Sequence, residues 1–427
     1  MTQGKGMEME MQTGIHYNGI CKCRGFNRRD FLRFTSRLVT AAAITGGAGL
    51  LSPGVRASRN SGKDPVLKIG YIPILDATPL LIGHAKGFFA AEGVDVERPV
   101  LIRGWSELSE SFLGGNFNLV HLLFPLAIFM RYAQNYSVKV VAWNHMNGSG
   151  LTVGTSKGIQ KLEDLGGRQI AVPFWYSIHN LILQLCLRHS GLEAVIQERN
   201  SPLKSSQTNL FVMSPPDMPV ALASGAIDGY IVAEPFNALG EMNANGKLIR
   251  FTGDVFRNHP CCVATMHEVD VAQRPGWTQK VVNGLVKAQQ WTAQNPDEAA
   301  HILSRDGGGY LPVSEPHVKR AMTKYDLDTY GTAHGTGAIQ HPEWAAKRIC
   351  FQPYPFESAT REVVKLLKQT KVEGGMDFLE KVDAEKVVSE LFDYDFVRNA
   401  ASKAGGLQTF EGIDPAQPYL RTEIISV

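Results

Sequence analysis

The chain has 427 residues, 44% hydrophobic and 20% charged, with a formal net charge of +2. It is long enough for two or three compact domains and too apolar to be disordered. The near-neutral total excludes a strongly basic nucleic-acid binder, and 42 glycines without a three-residue period exclude collagen.

The charge is uneven along the chain. Met1 to Ala57 holds eight Lys/Arg against three acids, +5, which leaves −3 for the rest. Within this segment, Asn27-Arg28-Arg29-Asp30-Phe31-Leu32-Arg33 looks like a twin-arginine export signal. Leu38 to Leu51 follows as a weakly apolar run of 14 residues diluted by glycine, short of the roughly 20 that span a bilayer. Val55-Arg56-Ala57 then offers small residues for cleavage. Residues 1–57 are therefore expected to be a cleaved leader that sends the chain to the bacterial periplasm through the Tat machinery. No further apolar run of that length follows, so the mature chain is expected to be soluble.

After the leader the rhythm is strand, helix, strand. Val66 to Ile72 alternates and stops at Pro73, which predicts a strand. A helix with Pro79 in its first turn follows, with Asp76 or Thr78 available as cap, Leu81, Ala85, Phe88 and Phe89 on one face and Gly93 as its stop. Val94-Asp95-Val96 reads as the next strand, which makes a parallel unit. Further strands are predicted at 118–123, 138–143, 151–153, 170–172 and 227–232. Helices are predicted at 106–113, 128–133 and 178–188, with a mainly helical stretch over 277–303 and more helix at 362–367 and 384–391. The tail 404–427 reads as an irregular strap. Asn147-Gly148-Ser149-Gly150 and His259-Pro260 are candidate hinges or crossovers.

Chemical motifs are sparse. There is no P-loop, no dinucleotide-binding glycine pattern, no nucleophile elbow, no zinc-type histidine spacing and no C-x-x-C. Cys21 and Cys23 fall in the leader; Cys186, Cys261, Cys262 and Cys350 remain. Adjacent Cys261-Cys262 is open to three readings: two small buried hydrophobes, a strained vicinal disulfide, or part of a site.

At Ala85-Lys86-Gly87-Phe88-Phe89-Ala90-Ala91-Glu92-Gly93-Val94-Asp95-Val96 the chain resembles the substrate-binding proteins of nitrate, sulfonate and bicarbonate ABC importers. Gly104-Trp105-Ser106, His121 to Pro125, Ser224 to Gly229 and Ala233 to Asn237 are similar too, and Gly412 to Leu420 looks like the end of the nitrate/bicarbonate branch. The resemblance covers roughly Val66 to Leu420. It implies an α/β, two-lobed Venus-flytrap fold with a helical C-terminal extension. One lobe would comprise 65–150 and 261–427, the other 151–260. It also implies closure over one small ligand, with an inner-membrane permease and ATPase as partners. A monomer without enzyme activity, cofactor or metal is expected, since no catalytic or metal-binding motif stands in the chain.

A small oxyanion must be held by hydrogen bonds in a dry cleft, to which helix N-termini contribute free N–H groups. The resemblance points to Trp105, Asn147, Ser149, Tyr176, His179, Glu234 and Cys262 as ligand-binding residues. His121 matches a family position and reads as structural. Two departures bear on the ligand. The nitrate branch resembles Asn-Gly-Gln at the first crossover, where this chain has Asn147-Gly148-Ser149. The branch also carries Lys, or Glu in bicarbonate binders, two residues after His-Pro, where this chain has Cys262. Glu107 and Glu110 oppose an anion unless they face solvent. A nitrate-class anion is the first expectation; an organosulfonate, cyanate or heterocyclic precursor, or a Tat-exported cofactor enzyme, are the alternatives.

Overall fold

Among the described residues, hydrophobic strands fall into two large sheets with a small two-stranded pair beside them, and the chain passes between the large sheets twice. The computed structural model describes residues 64–374 and 377–427; the expected twin-arginine signal and its expected cleavage site lie outside the described residues. The first sheet opens with β1 (Ile69–Tyr71), β2 (Val100–Leu101), β3 (Leu119–Leu123) and β4 (Val138–Trp143). A short strand, β5 (Met146–Asn147), leads across to β6 (Ser149–Gly154), β7 (Gln169–Val172), β8 (Glu193–Val195), β9 (Gln207–Val212), β10 (Gly229–Ala233) and β11 (Gly246–Phe251), which build the second sheet. The chain then returns as β12 (Cys262–His267) to the first sheet, and β13 (Ile349–Cys350) pairs with β5.

Strand order is β2-β1-β3-β12-β4 in the first sheet and β11-β6-β10-β7-β9-β8 in the second. In the first sheet β1 runs parallel to β2 and β3, while β12 is antiparallel to β3 and β4. Every residue of β3, Leu119 to Leu123, is buried. Helices cover such a sheet on both faces, which is why its strands read as apolar runs rather than alternating ones. The register Cys262↔Leu123 and Ala264↔His121 places the start of β12 beside the end of β3.

The two crossovers run side by side. Asn147 N donates to His259 O at 3.0 Å, and Met146 bridges Pro260. Asn147 (φ 59°) and Gly148 (φ 77°) both occupy the left-handed region that an Asn-Gly pair tolerates. A continuous apolar core runs from the first sheet into the second. Across the junction Tyr176 stacks on Phe129, ring centroids 4.0 Å apart at 18°.

The C-terminal helices hold both halves. The helix Glu357–Lys368 ends in a segment whose Gln369 and Lys371 carbonyls accept from Arg188, Asn180 and Gln184 on the helix Ile178–His189. The tail then crosses both crossovers. Arg421 lies over the rings of Trp143 and Phe356 and donates to Asn258 O, and Ser426 N donates to Val255 O.

Three local expectations differ. The strand beside β1 is Val100–Leu101, and Val94-Asp95-Val96 makes only a single bridge, Leu67↔Val96. Both β2 residues are exposed at the sheet edge, so burial left no apolar pattern there to read. The helix expected through Phe89 breaks at Gly87 (φ 70°) into Thr78–Ala85 and Phe88–Ala91. Neither Asp76 nor Thr78 caps it: the N-cap is Ala77, without a side-chain bond.

Candidate functional site

Four loops converge where the chain changes sheets. After β1 a single 3₁₀ turn, Leu75–Ala77, carries Asp76. Leu75 N in that turn donates to Glu234 O, just after β10, at 2.8 Å. After β4 the first crossover carries His145, and after β11 the second carries Cys261 and Cys262 into β12. From the second sheet's layer comes the helix Ile178–His189. Its N-cap Ser177 accepts from Asn180 N at 3.1 Å and donates to Phe174 O at 2.7 Å, which sets His179 in the first turn.

The side chains meet at Asp76. Its Oδ2 lies 3.0 Å from Cys262 Sγ, 3.3 Å from Cys261 Sγ and 3.0 Å from His145 Nε2. The His145 contact is an ion pair without hydrogen-bond geometry, since Nε2 finds no hydrogen-bond partner. Cys261 Sγ is 3.9 Å from His179 Nε2 and 4.0 Å from Ser149 Oγ, and Ser149 Oγ is 2.8 Å from His179 Nε2. All of these residues are at most 1% exposed.

Burial disfavours charge here, and mutual pairing overcomes it. Burial pushes Asp76 up, but the His145 charge and contact, the Cys262 thiol and the His179 charge bring it down to about 2. Burial pushes His145 down, and Asp76 above all, with Cys261, lifts it to about 10. The two thiols divide. Burial raises both, but the Cys262 thiol and the histidines pull Cys261 well below its usual value, while Cys262 beside Asp76 is held well above. His121, buried and weakly compensated by Asp76, falls to about 3 and is neutral.

Among the described residues, several polar atoms in this region have no hydrogen-bond partner despite full burial: Asp76 Oδ1, Trp105 Nε1, His121 Nδ1, the Asn144 amide, His145 Nδ1 and His179 Nδ1. Buried polar groups are ordinarily paired, so this concentration marks a region built for something other than packing.

Of the residues expected to bind ligand, Ser149, His179 and Cys262 gather around Cys261. Trp105 starts the helix Trp105–Leu113 and its ring lies 5.4 Å from that of His121; His121 Nε2 accepts from Ile72 N at 3.0 Å. Tyr176 stacks on Phe129 and meets Phe378 edge-on. The Asn147 amide donates to Lys347 O and Asn258 Oδ1, tying the crossovers to β13's approach. Glu234 is fully buried with its carboxylate 2.6 Å from Arg348, which also bonds Tyr330 and Glu241. Glu107 and Glu110 are exposed. Cys261 and Cys262 are free buried thiols joined to a carboxylate, so of the three readings the disulfide does not describe them. Sequence reasoning missed Asp76 and His145 as members of this cluster, and Arg348 as the partner of Glu234. No short-range pattern links positions 76, 145 and 261; the adjacent cysteines were the one local signal.

Residues 60–305 match the model of the NMT1-like family. A nitrate/nitrite binding protein, NrtA, of Nostoc is 24% identical over 384 residues, 82% of this chain and 83% of that protein. The periplasmic nitrate-binding protein NrtA of Synechocystis superposes with a TM-score of 0.65 at 19% identity, covering 83% of this chain and 96% of that one. A ligand-binding component of an ABC-type import system from Staphylococcus aureus, solved with zinc bound, gives 0.60 at 20% identity, over 79% and 99% of the two chains. The shared architecture is the periplasmic-binding-protein fold.

Proposed function

The chain belongs to the NMT1-like family, and on that premise we propose that it is the solute-binding component of an ABC importer, taking up one small ligand at the junction of its two sheets. The two sheets serve as lobes, near 65–150 with 261–427 and 151–260, and the paired crossovers serve as the hinge. The observation that carries this reading is the set of buried, unpartnered polar atoms drawn from both layers, Trp105 Nε1 from the first and His179 Nδ1 from the second. Hinge closure around a ligand is the established motion of such folds, and it removes water from donors that then act at low dielectric.

A nitrate-class oxyanion is the first solute to test. The indole N–H of Trp105 donates only, and His179 sits in the first turn of a 12-residue helix, where the dipole favours an anion. The Asp76 charge that would repel an anion is answered by His145 at 3.0 Å. Residues 1–57 act in this reading as the Tat leader that delivers the chain to the periplasm, where a permease and ATPase receive the solute. No catalytic role is assigned.

The test is a thermal-shift and calorimetric panel of nitrate, nitrite, bicarbonate, cyanate and small sulfonates. A true ligand at 100 times its Kd stabilises by about 2.7 kcal/mol. Saturable stabilisation by one of them is expected. No stabilisation by any, at millimolar concentration, overturns the oxyanion assignment.

A further inference from the structure

Asp76, His145, Cys261 and Cys262 have more in common than hydrogen bonds. Each offers one ligand atom, and these four atoms lie within 4.8 Å of one another, all fully buried. We propose that these four side chains form a binding site for one borderline-soft divalent metal ion of the zinc class. The assignment rests on this cluster alone and is independent of which solute is transported.

The donor set argues for the ion. Two cysteines and one imidazole suit zinc-like ions, while calcium and magnesium take oxygen ligands almost exclusively. Zinc bonds of about 2.0–2.3 Å arranged tetrahedrally put neighbouring ligand atoms about 3.3–3.8 Å apart. The contacts from Asp76 Oδ2 to Cys262, Cys261 and His145 are 3.0, 3.3 and 3.0 Å, so a small outward movement of the side chains makes room. A second observation points the same way. Among the described residues, Asp76 Oδ1 and both His145 ring nitrogens have no hydrogen-bond partner, which a purely structural hydrogen-bonded cluster would not leave. Cation binding needs thiolates and neutral imidazole, so the protons now held by the cluster pass to solvent.

The placement gives the ion a mechanical role. Asp76 follows β1, His145 lies on the first crossover, and Cys261 and Cys262 lie on the second. One ion would therefore join the loop after β1 to both crossovers. Ser149 and His179, from the second sheet's layer, already touch Cys261, so a metal held there sits against the solute region, taking Cys262 from the residues expected to bind solute and leaving Trp105 and His179 to the solute.

The full-length chain, purified with reductant and freed of metal by chelator, should be titrated with Co²⁺ in the absence of any oxyanion and then with Zn²⁺. We expect one Co²⁺ per chain, thiolate-to-cobalt charge-transfer absorption, the intense visible bands of four-coordinate cobalt, and their loss when Zn²⁺ displaces it. The C261S/C262S double variant should lose the charge-transfer absorption and bind at least tenfold more weakly, while Asp76→Asn keeps that absorption and binds more weakly. Should the double variant not fold by circular dichroism, the wild-type thiols provide the readout: Zn²⁺ should slow the reaction of Cys261 and Cys262 with a thiol reagent at least tenfold under mild denaturant. Absence of stoichiometric binding, an unchanged spectrum in the folded double variant, or thiol reactivity indifferent to Zn²⁺ overturns the site. Running the oxyanion panel with and without Zn²⁺ separates the two readings, since metal binding without oxyanion binding defeats only the latter.

Discussion

Asp76 Oδ2 and the Cys262 sulfur lie 3.0 Å apart, and that contact joins the loop after β1 to the second crossover. It sits inside an ion pair, because the same oxygen faces His145 at 3.0 Å with neither side chain exposed. Removing one partner of such a pair leaves the other buried without compensation. Asp76→Ala should therefore destabilise the fold by about 3–5 kcal/mol, seen as a lowered urea midpoint. A change under 1 kcal/mol would mean that His145 is neutral in the folded chain.

Arg348 plays the same part on the other side of the junction. It is fully buried between Glu234 and Glu241, at 2.6 and 3.2 Å. Arg348→Met leaves two carboxylates facing each other and should cost about 3–5 kcal/mol. Adding Glu234→Gln should recover part of that loss, and a double-mutant cycle by chemical denaturation measures the coupling. Strict additivity would show that the pair does not interact.

Gly148 is conformationally required. Its φ is +77°, and an added Cβ would lie 2.9 Å from Ile349 Cδ1 and 3.2 Å from His145 Nδ1. Gly148→Ala should destabilise by about 1–3 kcal/mol, with Ile349 able to yield only part of the space. Wild-type stability in this variant would show that the crossover relaxes freely.

Trp105 Nε1 is buried and has no partner among the described residues. Trp105→Phe removes no hydrogen bond within the protein, so its effect should fall on ligand binding. We expect a loss of about 1 kcal/mol in affinity for the solute found by the panel, roughly fivefold, in isothermal titration calorimetry. Equal affinity would place the ligand away from the indole.

Acid stability should carry a contribution from Glu92. Burial raises its carboxyl, but hydrogen bonds from Lys403 and Asn283 and the Lys403 charge together hold it below the ordinary 4.5. A depressed carboxylate contributes stability that is fully present above the unfolded value and lost as pH falls through the folded one. The partner Lys403 is 60% exposed, so the contribution is only about 0.5 kcal/mol after screening. Glu92→Gln should lower the urea midpoint at pH 7 slightly and leave it unchanged once the pH has fallen through the folded carboxyl's own titration. An equal loss at both ends would assign the effect to packing.

Much of the architecture was legible. Leu119 to Leu123, Val138 to Trp143 and Ile178 to His189 announce themselves as apolar runs or helical faces, since periodicity and burial act within a few residues. Boundaries slipped by a residue or two: the strand expected from Ile227 starts at Gly229, although Asp228 still exchanges backbone hydrogen bonds with Gln169 and Gly154. At Asp76 a polar contact overruled pattern: a position suited to capping a helix spends its charge on His145 and two thiols instead.

The chain by itself determined its class: two α/β halves, an Asn-Gly turn where a crossover was expected, a helical C-terminal third, and a resemblance that named the fold. These follow from backbone preferences and apolar spacing, which are local. The meeting of Asp76, His145, Cys261 and Cys262, and the choice of Arg348 as partner for Glu234, was decided only in three dimensions. Such encounters depend on sheet order and on how two crossovers lie against each other, and a charge buried there takes whichever opposite charge the packing brings within about 3 Å.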